Sequence, residues 1–151
     1  MQEIWTIGHS TRTLEDFIKI LKFYEIEVLV DVRHFPHSKN NPQFNKEILQ
    51  EKLFDNNIVY KWIEKLGGFR EGGYKKYIET EEFKDGLEIL RKIARDRKTA
   101  VMCAEILWFK CHRRYIADIL KREKWKVYHI YEIGKIEKHK ITLRRKIKCD
   151  R

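Results

Sequence analysis

The stretch TAVMCAEILWFKCHRRY, residues 99–115, decides how the chain folds. It begins with a short apolar run, residues 100–102, which is typical of a buried strand. Cys103 and Glu105 follow that run, and a second polar group, CHRR, occupies residues 111–114. Apolar residues at helical spacing come next, so the stretch predicts a strand, a short loop and a helix. We expect the first turn of this helix to carry a thiol, an imidazole and two guanidinium groups.

The start of this helix is a favourable place for an anion. The first N–H groups of a helix have no partner within the helix, and the helix dipole adds positive potential there. Arg113 and Arg114 oppose that dipole, so their position is easier to explain if they hold an anionic ligand. The alternative is that both arginines are solvated and that Cys103 and Cys111 are small core residues.

Short apolar runs alternate with helical patterns along the whole chain, and such runs suit strands that are covered on both faces. They occupy residues 3–7, 28–30, 58–60, 99–103 and 125–131. Strands that alternate with helices favour a parallel sheet. The sequence therefore predicts an α/β fold, a single domain over residues 1–134, with a mainly parallel sheet of about five strands and helices on both faces. A strongly basic C-terminal tail, residues 135–151, follows it.

Polar and reactive side chains follow three of these strands. They are His9 and Ser10, then Asp31 and Arg33, then Cys103 and Glu105. The carboxyl ends of parallel strands share one edge of a sheet, where ligands bind, so we expect these side chains to line a common pocket. A loop at residues 66–74 adds Gly67 and Gly68, whose backbone either approaches a ligand closely or is simply flexible.

A thiol nucleophile is one chemistry that this edge could support. Cys111 is the candidate, because a helix start and neighbouring cations lower the pKa of a thiol. His112 is adjacent in sequence, but adjacent helical residues do not face each other. We therefore expect the imidazole that serves Cys111 to be His9 or one from residues 34–37.

Acid–base or anion chemistry is a second possibility. Asp31 and Glu105 are candidate acid–base residues together with His9, and Arg33 and Arg113 are the candidates for holding an anion. Carboxylates beside arginines are equally well explained as structural ion pairs. The remaining residues expected to contact a substrate are Ser10, His112, Cys103, Gly67 and Gly68.

The sequence predicts no metal site and assigns no cofactor. Cys103, Cys111 and His112 have the chemistry of metal ligands, but the pattern Cys-x7-Cys-His lacks the close pairing that is typical of structural zinc sites. The oligomeric state is not predictable from the sequence either.

The overall composition favours a globular cytoplasmic protein with an anionic partner. The chain has 42% hydrophobic and 37% charged residues, which is typical of a globular domain. Three cysteines are too few for a disulfide framework, and neither a signal peptide nor a membrane span is evident, so we expect a cytoplasmic protein without a membrane partner. The net charge of +10 favours an anionic small molecule or a nucleic acid as partner. The abundance of lysine and glutamate also resembles the surface of a thermophile protein.

The same residues carry a family resemblance. The motifs TIGHS at 6–10, DVR at 31–33, LGG at 66–68, MCAE at 102–105 and CHR at 111–113 occur in this order. Together they resemble the bacterial and archaeal family catalogued as domain of unknown function 488 (DUF488), over residues 4–131. The resemblance implies a compact α/β domain in which these positions are hallmark residues. It implies no reaction.

Two hypotheses follow about function. The first is an enzyme of unassigned reaction, with a polar active-site or anion-binding pocket at the carboxyl ends of the strands and a phosphorylated or nucleic-acid substrate. The second is a non-catalytic nucleic-acid-binding protein that uses its basic surface and tail, with aromatic side chains for stacking.

Overall fold

The computed structural model describes residues 2–141, which form one six-stranded sheet with helices packed against it. The strand order is β3-β2-β4-β1-β5-β6. The strands are β1 (Glu3–Gly8), β2 (Val28–Asp31), β3 (Val59–Trp62), β4 (Thr99–Cys103), β5 (Lys126–Glu132) and β6 (Lys135–Lys138). The α-helices are α1 (Leu14–Phe23), α2 (Lys46–Asp55), α3 (Tyr74–Tyr77), α4 (Glu81–Asp96) and α5 (Arg113–Arg122).

The first five strands are parallel, and β6 runs antiparallel to its neighbour β5. Neighbouring residues of a strand point to opposite faces, so the buried strands supply two separate cores. Ile4 packs in one core with residues of α4 and α5, while Trp5 packs in the other with residues of α1 and α2. The α/β class and the mainly parallel sheet predicted from the sequence are confirmed.

The connections leave the sheet in opposite directions at its centre. From β1 the chain runs through α1 to β2, towards the β3 edge, whereas from β4 it runs through α5 to β5, towards the β6 edge. Each connection passes over the strand of the other, so the segments that follow β1 and β4 cross and touch: the N–H of His9 donates to the carbonyl of Cys103, and the N–H of Ser10 to that of Ala104. The carboxyl ends of the parallel strands form the edge at which open α/β sheets bind ligands.

The start of α5 differs from the starts of α1 and α4. Thr13 accepts a hydrogen bond from an N–H of the first turn of α1, and Thr80 does the same for α4. Such caps each contribute about 1 kcal/mol to stability. His112 occupies the corresponding position of α5 and makes no such bond. Its side chain makes a different contact instead, which is described below.

The C-terminal region departs from the predicted arrangement. Residues 135–138, expected to open a basic tail, form β6 and pair with β5, with Ile136 opposite Ile130. This segment, K-I-E-K, has two lysines among four residues, so its hydrophobic pattern is too weak to predict the strand that completes the sheet. The sheet accordingly has one strand more than expected. The rest of the predicted tail, from residue 142 onwards, lies outside the described residues.

Candidate functional site

A cavity of about 550 Å³ lies at the carboxyl ends of β1, β2 and β4. This volume is in the range of small-molecule sites. Most of the site residues expected from the sequence line it: His9, Ser10, Arg33, Gly68, Cys103, Glu105, Cys111 and His112. Asp31, Gly67 and Arg113 are not among the lining residues.

The two described cysteines meet at the inner end of this cavity. The Sγ atoms of Cys103 and Cys111 are 2.6 Å apart, and both residues are buried. The Nδ1 atom of His112 is 3.3 Å from the Sγ atom of Cys111. On its other side, the Nε2 atom of His112 is 2.7 Å from the carbonyl oxygen of Val32, the residue that follows β2. Since a carbonyl only accepts, Nε2 carries a proton, and Nδ1 is the nitrogen that faces the thiol.

The local backbone explains why His112 reaches Cys111, contrary to the expectation that it would face away. That expectation assumed that both residues were helical. Cys111 instead has extended backbone angles, φ −131° and ψ 157°, and α5 begins only at Arg113. The first turn of α5 therefore does not carry the thiol, and two neighbouring side chains lie on the same side of the chain.

The protonation states of this group follow from burial and from the short contacts. Burial lowers the pKa of His112, but the charge of a Cys111 thiolate and its hydrogen bond to the imidazole outweigh burial and raise that pKa to about 9. Burial and the hydrogen bond with Cys111 raise the pKa of Cys103 well above its usual value. An imidazolium beside a thiol favours the thiolate. The Cys111 sulfur thus lies between an imidazole and a thiol whose pKa values are both raised.

Arg33 reaches the cavity from a buried ion pair. Its Nη2 atom is 2.7 Å from Oδ2 of Asp31, which also accepts a hydrogen bond from the hydroxyl of Tyr60 at 2.5 Å. Burial lowers the pKa of Arg33, and its hydrogen bonds to Asp31 outweigh this and raise it. Asp31 is fully buried, and its carboxylate holds the Arg33 guanidinium in place; its expected acid–base role stays a prediction.

His9 lies beside this ion pair as a neutral imidazole. Burial is the main cause that lowers its pKa to about 4, and the charge of Arg33 adds to it. Its ring stacks on Phe44 at 4.4 Å, and Arg33 Nη1 is 3.4 Å from its Nε2 atom. Its Nδ1 atom is 2.8 Å from the carbonyl oxygen of Ser10. His9 thus offers no positive charge to a ligand near neutral pH.

Arg113 supports the cavity wall from behind. Only 1% of it is exposed, and its guanidinium donates hydrogen bonds to the carbonyl oxygens of Glu105 and Ile106 and to the hydroxyl of Thr6. No carboxylate lies within ion-pair distance of it among residues 2–141. Arg113 therefore fixes the loop that follows β4 and adds a buried positive charge beneath it.

Two glycines allow loops to cross closely around the site. A Cβ atom on Gly8 would overlap the carbonyl group of Glu105, so β1 and the loop after β4 touch through backbone. A Cβ atom on Gly67 would lie 2.6 Å from the Cα atom of His34. The two glycines expected to approach a ligand therefore differ: Gly67 packs against the protein, and Gly68 lines the cavity.

Glu105, the other carboxylate expected in the site, lines the cavity and is half-buried.

His34 and His37, the other candidate imidazole partners of Cys111, also line the cavity, but His112 is the one that reaches the thiol. Several further lining residues were not expected from the sequence: Thr11, Phe35, Ser38, Asn41, Phe69, Ala104, Ile106 and Lys110. Most of them lie in the proline-containing loop after β2 or in the loop that follows β4. The signal that could have identified the first group is the length of the loop after β2, since long loops in compact domains often carry function.

The structure also bears on metal and membrane binding. Among the described residues no group of three or more histidine, cysteine or carboxylate side chains is arranged to hold a metal ion. Within residues 2–141 every helix is too short or too polar to cross a lipid bilayer.

The comparison with known proteins gives one match. The family model described as domain of unknown function DUF488 matches residues 13–120, most of the chain. No curated protein and no solved structure matches the chain.

Proposed function

The chain belongs to the DUF488 family, and we propose that it is an enzyme in which Cys111 is the nucleophile and the substrate is an anion bound in the cavity. The contact between Cys111 and His112 is the observation that carries this proposal. A nucleophile within reach of a base, with the base oriented by a third group, is the signature of covalent catalysis. Here the three groups are the thiol, the imidazole and the carbonyl of Val32, at 3.3 Å and 2.7 Å.

The chemistry assigned to these groups is substitution in two steps. In the first, the Cys111 sulfur forms a bond to the electrophilic atom of the substrate, and the leaving group departs with a proton from the His112 imidazolium. In the second, the neutral imidazole takes a proton from a water molecule, whose oxygen replaces the sulfur. Cys103, as a neutral thiol, donates a hydrogen bond to the thiolate and does not compete with it as nucleophile.

An anionic substrate is favoured by the charges and donors around the cavity. Lys110 lines it and makes no ion pair with any of the described residues. Ser10, Ser38 and Asn41 add hydrogen-bonding groups near the mouth. The buried charge of Arg113 and the net charge of +10 act in the same direction over a longer range.

The test uses two chromogenic probes, p-nitrophenyl acetate for acyl transfer and p-nitrophenyl phosphate for phosphoryl transfer. We expect the full chain to release nitrophenolate from at least one probe. The Cys111→Ser variant should lose this activity by at least about a hundredfold, since a hydroxyl is a far weaker nucleophile than a thiolate. Acid quenching followed by intact-mass measurement should trap the probe group on Cys111.

The matched control is Cys149→Ser, which removes the third cysteine of the chain, outside the described residues. This variant should retain the activity of the unsubstituted protein. A Cys111→Ser variant that keeps full activity, or a trapped group on any other residue, would show that Cys111 is not the nucleophile.

A further inference from the structure

Two large aromatic side chains stand exposed at the cavity. Phe35 is 68% exposed and Phe69 is 57% exposed, and both line the cavity that contains the thiols. They come from different loops, one after β2 and one after β3. Two exposed rings that line one cavity leave apolar surface uncovered there, and grouped exposed apolar side chains are a feature of binding sites.

The two loops that carry these rings are tied together. His34 Nδ1 is 2.6 Å from the carbonyl oxygen of Gly68, so the residues just before Phe35 and just before Phe69 are hydrogen-bonded. The ring of His34 also stacks on Phe35, with centroids 4.4 Å apart. Gly67 packs directly against the backbone of His34. The position of each ring is thereby fixed relative to the other loop.

The backbone of Phe69 has an unfavourable conformation. Its φ angle is +57°, in the left-handed region that bulky residues rarely adopt. A phenylalanine there raises the energy of the folded chain, and because more than half of its surface is exposed, burial offsets only part of that cost. Residues held in such conformations cluster at ligand-binding sites.

We infer that the cavity binds a nucleotide, with the base stacked on Phe35 or Phe69 and the phosphate directed towards Lys110. This inference rests on the proposed function in that it names the substrate class of the same cavity. A base of any kind can stack on an exposed aromatic ring, and a phosphate can bind to a lysine side chain and to hydroxyl donors. The nucleotide is either free or part of a single strand, and both present the same base and phosphate.

The test is calorimetric titration of the full chain with adenosine monophosphate, uridine monophosphate and ribose 5-phosphate, which lacks a base. We expect the two nucleotides to bind about tenfold more tightly than the sugar phosphate, as base stacking predicts. Phe35→Leu and Phe69→Leu keep an apolar side chain but remove the aromatic face, and one or both should abolish this difference. Phe54→Leu is the control, because Phe54 is 79% exposed and lies outside the cavity.

A second arm addresses the single-stranded source. A labelled DNA or RNA hexanucleotide should bind more weakly to the leucine variants than to the Phe54→Leu control, by about five- to a hundredfold if one ring carries a base. Binding of the oligonucleotide without binding of the monophosphates would assign the site to a strand.

Two results would overturn the inference. One is equal affinity for ribose 5-phosphate and the nucleotides, with no effect of either leucine variant on the oligonucleotide. The other is the absence of binding in both arms. The chromogenic assay of Cys111 is run on the same protein. If that assay still shows activity while either of these results is found, the nucleotide is rejected as ligand and Cys111 remains the proposed nucleophile.

Discussion

Replacing His112 with glutamine should change the pH dependence of Cys111 alkylation in a specific way. Glutamine keeps an amide N–H for the carbonyl of Val32 but removes the positive charge beside the thiol. In the native protein the pKa of His112 is raised from 6.5 to about 9, although burial acts against this rise; Cys111 contributes most to it, and Cys103 and the carbonyl of Val32 add to it. Coupling between two charges is reciprocal, so the imidazolium should in turn favour the ionised form of Cys111.

The size of the effect on rate follows from the usual influence of one opposite charge at contact distance, about 2 pH units. Below both midpoints the variant then has about 100-fold less thiolate, but its thiolate is about eightfold more nucleophilic because nucleophilicity rises with basicity. The native protein should therefore react about tenfold faster at low pH. Above both midpoints only the second effect remains, and the variant should react about eightfold faster. The two pH profiles should cross.

The assay is the iodoacetamide rate at Cys111, followed by mass spectrometry of the peptide that contains it from pH 4.5 to 10. His34→Gln is the control, since His34 lines the same cavity but is hydrogen-bonded to Gly68 rather than to a thiol. Its profile should match that of the native protein. Profiles of native protein and His112→Gln that run parallel, without crossing, would refute the coupling between imidazolium and thiolate.

Three further outcomes are expected. Asp31→Asn leaves Arg33 as a buried cation without its partner and should lower the free energy of unfolding in urea by about 3–5 kcal/mol; a loss below about 1 kcal/mol would contradict the structural role of the pair. Burial lowers the pKa of His9 to about 4, so between pH 6.5 and 4 the unfolded chain binds a proton that the folded chain does not. Up to about 3 kcal/mol of the stability present above pH 6.5 should therefore be lost as the pH falls through this range. Urea titrations at several pH values should show this loss, and the His9→Gln variant should show a flatter dependence on pH. Hydrogen peroxide should join Cys103 and Cys111 in a disulfide, with two water molecules formed and about 2 Da lost, reversibly with dithiothreitol; the Cys103→Ser variant should show no such product.

The fold was largely predictable because its signals are local. Short apolar runs that alternate with helical patterns predict parallel strands, and parallel strands bring their carboxyl ends together whatever the loops contain. For the same reason the edge at which His9, Arg33 and Cys103 meet could be named from the order of elements alone. The strand β6 was missed because its four residues, two of them lysines, carry too little hydrophobic signal.

The roles within the site were not predictable in the same way, because they depend on backbone angles and burial. The contact between Cys111 and His112 requires Cys111 to be extended, which a helical pattern downstream does not reveal. Arg113 was expected to hold an anion, and the structure shows its guanidinium bonded to backbone carbonyls behind the cavity wall. Whether Arg33 can also contact a ligand stays a prediction.

The burial of the thiol and the imidazole constrains how the proposed reaction can proceed. Cys111 and His112 are both buried, and a lone buried charge is costly, so thiolate and imidazolium can persist only as a pair. When the sulfur forms its bond and the leaving group takes the imidazole proton, both charges disappear together, and the pair has zero net charge before and after the step. An arginine in place of His112 would keep its proton once the thiolate is consumed and would leave an unpaired cation beside a neutral sulfur. An imidazole suits this position because it can lose its charge at the moment the thiolate does.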